Sequence, residues 1–107
     1  MAGSIIISND LILSVSTWQF DCIESQIRSE LKLIDQSVFE KVYSPLDEGG
    51  MNFISAESLS ANEFGDFVQA VMKAVERVKK NPHDQDLLSL WEDLLGKLRA
   101  DARFFQN

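Results

Sequence analysis

The sequence predicts an α+β domain in the order β-β-α-β-β-α-α, with an antiparallel sheet from two hairpins covered by about three helices. Three observations carry that prediction. Stretches with an apolar period of two are segregated from stretches with a period between three and four. Two Ser-x-x-Gln/Glu motifs, at Ser16 and Ser60, each open one of the helical stretches. Breaks rich in Asn, Asp, Gly and Pro separate the rest.

The chain begins with two β-branched and aliphatic runs, Ile5 to Ile7 and Leu11 to Val15, separated by Ser8-Asn9-Asp10. Asn and Asp tolerate the left-handed conformations of tight turns, so the pair reads as a hairpin. Phe20, Ile23, Ile27, Leu31 and Ile34 then recur at spacings of three and four. Ser16 with Gln19 forms a capping box, and Val15 with Phe20 a hydrophobic staple, which predicts a helix over Thr17 to Leu33.

Val38 to Tyr43 is β-branched and aromatic, and it alternates. After the break at Pro45, Asp47, Gly49 and Gly50, Met51 to Glu57 resumes an extended pattern. Together they predict a second hairpin around an acidic, glycine-bearing loop. The next helix opens at Ser60, with Glu63 closing the box and Leu59 and Phe64 as staple. Its apolar face runs Phe64, Phe67, Val68, Val71, Met72, Val75 and Val78, and Lys79 and Lys80 suit its negative end. Asn81-Pro82 ends it and opens the last helix. That helix carries Leu87, Trp91, Leu94, Leu98 and Ala102 on one stripe, so the two C-terminal helices are expected to form a hairpin.

One domain covers residues 1–107, a length able to bury a modest core without disulfide or metal. The lone cysteine, Cys22, excludes an intrachain disulfide. With no signal peptide or membrane span in the pattern, the chain is expected in the cytoplasm.

The formal charge of −7 is regional. The first 68 residues hold eleven acids against three bases, a balance of −8; from Gln69 onward seven bases face six acids, a balance of +1. Such a field repels nucleic acid and anionic lipid and attracts a basic protein. Asp47, Glu48, Glu57 and Asp66 are the candidate partner-binding acids, read either as a recognition surface or as a plain solvated face. Trp18, in the first turn of its helix, is either an interface anchor or a cover for the end of the core. One of the adjacent aromatics Phe104 and Phe105 must point away from the helix core, which makes Phe105 the second possible anchor.

No catalytic signature stands out. His83 beside Asp84 could be half of a proton-transfer dyad, but no serine or cysteine has a nucleophile motif, so His83 reads as an exposed helix-start residue. Cys22 has anionic neighbours, Asp21 and Glu24, and reads as a structural cysteine. Gly49-Gly50 is too short to cradle phosphate, and the acids do not match a calcium-loop spacing. The sequence therefore implies no catalytic residues, no cofactor and no metal.

The segment Asp47-Glu48-Gly49-Gly50-Met51-Asn52-Phe53-Ile54, followed by Leu59-Ser60-Ala61-Asn62-Glu63-Phe64, resembles the small cytoplasmic immunity proteins of bacterial polymorphic toxins, including contact-dependent growth inhibition systems. The resemblance implies a non-enzymatic inhibitor that binds one cognate toxin, often a cationic nuclease, and that is a monomer when free. It brings no functional residue to carry over. The alternative from the residues alone is a cytosolic adaptor or self-associating module acting through its C-terminal helix hairpin.

Overall fold

The computed structural model describes residues 2–81 and 86–106. β1 (Ala2–Ser8) and β2 (Leu11–Ser16) form the expected hairpin, antiparallel from Ala2↔Ser16 to Ser8↔Leu11, with an irregularity between Ile6 and Ser8. α1 (Thr17–Ile34) follows directly. Its capping box is complete: Gln19 N–H donates to Ser16 Oγ (3.3 Å) and Ser16 N–H to Gln19 Oε1 (2.9 Å). The staple residues Val15 and Phe20 are both buried. Gly3 is required here, because a Cβ at that position would lie 2.3 Å from Phe20 Cγ.

The second hairpin does not form. Val38 to Tyr43 lies within a helix, α2 (Gln36–Asp47), and only the short β3 (Phe53–Ser55) is extended. Val38, Phe39, Val42 and Tyr43 are its buried residues. Pairs four apart suit one face of a strand and one face of a helix equally, and β-branched and aromatic content tilts that choice toward strand. The deciding residue is Asp35, whose Oδ1 accepts Ser37 N–H (3.0 Å) and Val38 N–H (3.3 Å) and so caps α2. Pro45 is tolerated in the last turn of α2. Glu48 and Gly49 N–H both donate to Ser44 O, and Gly50 turns the chain at φ 64°, a conformation that suits glycine.

β3 pairs in parallel with β1, giving a three-stranded mixed sheet in the order β2-β1-β3 instead of a wholly antiparallel one. Gly3, Ile5, Ile7, Leu13, Val15 and Ile54 form its buried face. α1 packs on β1 and on α3 (Ala61–Lys80), and α2 packs on β3. Arg77 donates to Gln26 O (3.1 Å) at one end of the α1–α3 contact while Asp66 meets Asp35 at the other, so these helices run antiparallel. The second capping box is as expected: Glu63 N–H to Ser60 Oγ (3.3 Å), Ser60 N–H to Glu63 Oε1 (2.9 Å).

α3 ends at the cap Asn81; the expected helix start at Pro82 lies outside the described residues. α4 spans Leu88–Ala100 and buries Trp91, Leu94 and Leu98 against α3. It stops two residues short of the last member of its stripe, so Ala102 is exposed and not on the helix; a 3-10 helix occupies Ala102–Gln106. Four α-helices therefore stand among the described residues, where about three were expected.

Arg103 holds the chain in the turn that follows α4. Its Nε and Nη2 grip the Asp101 carboxylate (2.9 and 2.8 Å). Nη1 donates to the carbonyls of Ala56 (2.7 Å) and Leu59 (2.8 Å), and Nη2 to that of Ile7 (2.7 Å). All five guanidinium donors are thus engaged. The cation also lies 4.2 Å from the centroid of Phe64. These bonds tie the C-terminal turn to the end of β1 and to the lead-in of α3.

Replacing Arg103 with Met should lower stability by about 3 kcal/mol or more, because it strips the guanidinium from a buried carboxylate and three carbonyls, leaving Asp101 the main-chain N–H of residue 103 and Ala56 O that of Leu59. Ser60→Ala should cost about 1 kcal/mol through the lost cap. Urea midpoints check both; an Arg103→Met midpoint within error of wild type would show that the network contributes nothing.

Candidate functional site

With no catalytic constellation in the sequence, the candidate site is a protein-binding surface, and its acids can be placed one by one. α2 is the element they share. Asp47 is its last residue and Glu48 its C-cap. Asp66 sits beside Asp35, the N-cap. Glu57 borders a cleft of about 470 Å³ that Lys41, Ser44 and Pro45 line from α2 and Phe53 from β3. Twelve helical residues span about 18 Å, so Asp66 and Asp47 mark opposite ends of one strip.

The acids differ in how far the fold already neutralises them. Asp47 forms a two-pronged pair with Arg28 of α1, Nη1 to Oδ2 at 2.9 Å and Nη2 to Oδ1 at 2.7 Å. Those bonds, aided by Lys32, hold its carboxyl below the usual range. Arg28 also pairs with Glu24 at 3.3 Å and lies 4.6 Å from the Tyr43 ring centroid and 5.7 Å from that of Phe39. The two rings stack at 4.8 Å, and Lys32 covers Phe39 at 4.9 Å. Tyr43 hydroxyl donates to Glu24 O, and burial pushes the phenol up. Burial likewise raises Glu24, outweighing the attraction of Arg28.

Glu63 pairs with Lys41; that contact and its cap bonds pull its pKa down to about 2. The three bases of the acidic region are therefore all engaged around α2. Glu48 is exposed and accepts only a long bond from Ser44 Oγ (3.4 Å). Glu57 is exposed too; with its carboxamide nitrogen turned toward the acid, Asn9 donates to Glu57 at 3.1 and 3.2 Å. Asp66 is half-buried, and burial together with the neighbouring carboxyls of Asp35 and Glu63 raises its pKa.

Trp18 is 63% exposed, so it does not cover the end of the core, and Ile12 on β2, six positions earlier, is exposed as well. Phe104 packs against the core, which agrees with one aromatic turning inward; the side chain of Phe105 lies outside the described residues. His83 also lies outside them. Cys22 is half-buried on the core's margin. Among the described residues no group of three His, Cys, Asp or Glu side chains could hold a metal ion, and no helix is long and apolar enough to cross a membrane. What sequence reasoning missed is Arg28, whose contacts reach 19 positions along the chain; only the unusual scarcity of bases near so many acids hinted at it.

No protein-family model matches the chain. Among curated proteins it is 40% identical over 103 residues to an immunity protein, CdiI, of Burkholderia pseudomallei, covering 96% of this chain and 94% of that protein. Among solved structures it is similar to a chain in the complex of the CdiA-CT toxin from Burkholderia pseudomallei E479 with its cognate CdiI immunity protein. The TM-score is 0.91 at 39% identity, covering 95% of this chain and 98% of that one.

The ion pairs predict an acid-labile fold. Glu63 and Asp47 bind protons less readily when folded than when unfolded. Their contribution is therefore present above about pH 4.5 and lost as the pH falls toward 2. Glu63→Gln should flatten the decline of stability over that window. Asp47→Asn should lower the melting temperature at neutral pH while Glu48→Gln leaves it unmoved; equal melting of the two variants would show that the Arg28 pair is not structural.

Proposed function

We propose that this chain, which belongs to the CdiI immunity protein family, protects its own cell by binding the cognate CdiA-CT toxin domain in the cytoplasm and blocking its action. CdiI proteins are non-enzymatic inhibitors. The observation that carries the reading is near-complete coverage at 40% identity, together with a TM-score of 0.91 to a structure solved as a toxin–immunity complex. That neighbour is described as bound to its own toxin. This chain shares its fold and nearly its full length.

The surface chemistry supports a cationic partner of nuclease type. Nucleases that grip a phosphate backbone carry Lys and Arg, and the acidic strip along α2 complements such a surface. Long-range attraction then raises the association rate, while buried anchors set the lifetime. Of the four candidate acids, Glu48 and Glu57 are exposed and carry no Arg or Lys of this chain, which makes them the steering charges. Asp47 contributes mainly through Arg28. Trp18, an exposed indole on a rigid helix, is the anchor. The chain is a monomer before the toxin arrives.

Expression of this chain in toxin-exposed cells should restore growth, and the purified pair should bind one to one. Glu48→Gln with Glu57→Gln should slow association and weaken its salt dependence without moving the melting temperature. Trp18→Ala should speed dissociation, costing about 2 kcal/mol of affinity. Loss of protection with intact binding would overturn inhibition by occupancy. Unchanged association rates across salt would remove the steering role from these two acids.

A further inference from the structure

The exposed side of α3 carries a groove of about 460 Å³, lined by Asn62, Gly65, Asp66, Gln69, Met72 and Phe104 among others. Gly65, between Asn62 and Gln69, adds no side chain to that face. Met72, at 48% exposure, and half-buried Phe104 supply an apolar stretch. At the rim, Asp66 differs from the buried and half-buried acids Glu24, Glu30, Glu63 and Asp101, each of which has an Arg or Lys on it. Asp66 instead faces the carboxyl of Asp35, which its bonds to Ser37 and Val38 hold in place, and lies near Glu63. No base among the described residues bears on it.

We propose that this groove receives an arginine or lysine side chain of the toxin, with its stem along Met72 and Phe104 and its cationic head against Asp66 and Asp35. The inference rests on the immunity reading above. The apolar stretch suits the methylene stem of a long basic residue, which covers apolar surface while its head stays polar. Two carboxyls suit the forked donors of a guanidinium. Charge complementarity selects a basic partner, since a second copy of this chain would bring the same acids to the same rim. Burial is the main cause of Asp66's raised pKa, with the neighbouring carboxyls of Asp35 and Glu63 behind it, and a partner's cation offsets the part that comes from those carboxyls.

The test pairs wild type, Asp66→Asn and Met72→Ala with the cognate CdiA-CT toxin domain, and uses Glu92→Gln, an exposed acid of α4, as a control for loss of one charge. Asp66→Asn should bind about tenfold more weakly with a shallower salt dependence, and Met72→Ala about threefold more weakly. Glu92→Gln should bind as wild type does. The melting temperature of Asp66→Asn should hold or rise, because the ionised acid opposes folding at neutral pH; a residue with only a structural role would lose stability together with binding. If wild type binds and both groove variants bind equally well, the groove inference fails and the immunity reading stands. If wild type does not bind, the immunity reading fails and the inference with it. A wild-type dimer that Met72→Ala dissolves would show a second copy in the groove and overturn the proposal.

Discussion

The guanidinium of Arg103 is the point at which four parts of the chain meet. It takes carbonyls from the end of β1 and from the segment between β3 and α3, takes the Asp101 carboxylate, and lies on Phe64 of α3. Each carbonyl belongs to a strand end or a lead-in, where a helix or a ladder no longer supplies a donor. Water could do so only by entering the core's margin. The arginine does it with a planar fork whose five donors match the available acceptors, a task a lysine could not perform. Among the described residues no buried side-chain nitrogen or oxygen lacks a partner.

A second cation, Arg28, does for α1 and α2 what Arg103 does for the sheet and α3. It lies over two stacked rings and between two carboxylates, and so ties α1 to α2. α2 in turn pairs Lys41 with Glu63 of α3 and packs on β3. The acidic strip is thus a by-product of how the helices are fastened. Acids that fasten are neutralised from within, and others, Glu48 and Glu57 among them, face outward. A protein built this way holds its shape with one set of acids and leaves another set on its surface.

Local chemistry was legible in the sequence wherever it was sufficient. Both Ser-led capping boxes, the first hairpin, and the buried stripes through Phe20 and Phe64 follow from spacings of a few residues. α2 was misread as a strand because four-residue spacing serves both periods, although Asp35 stood in the right place to cap a helix. The parallel pairing of β3 with β1 has no local signature, since the partners are separated by α1 and α2. The acids of the site were visible as residues but not as a surface. Which of them were already neutralised depended on Arg28 reaching Asp47, and the place of Asp66 depended on α1 and α3 running antiparallel. The role of Arg103 was hidden because its acceptors are main-chain oxygens 44 to 96 positions away.

That last separation bears on how the molecule comes to be folded. The bond from Arg103 to the Ile7 carbonyl closes nearly the whole chain into one loop, and the β1–β3 ladder closes another of almost fifty residues. Long loops are slow to close, because their entropy must be surrendered before the contact returns anything. The capped helices can form early and locally, while the central strand waits for both neighbours and then for its arginine. A chain released from the ribosome, or refolding after stress, should therefore pass through a helical, sheet-poor stage. Its β1 edge is open during that interval, which makes the moment of sheet closure the step most exposed to aggregation.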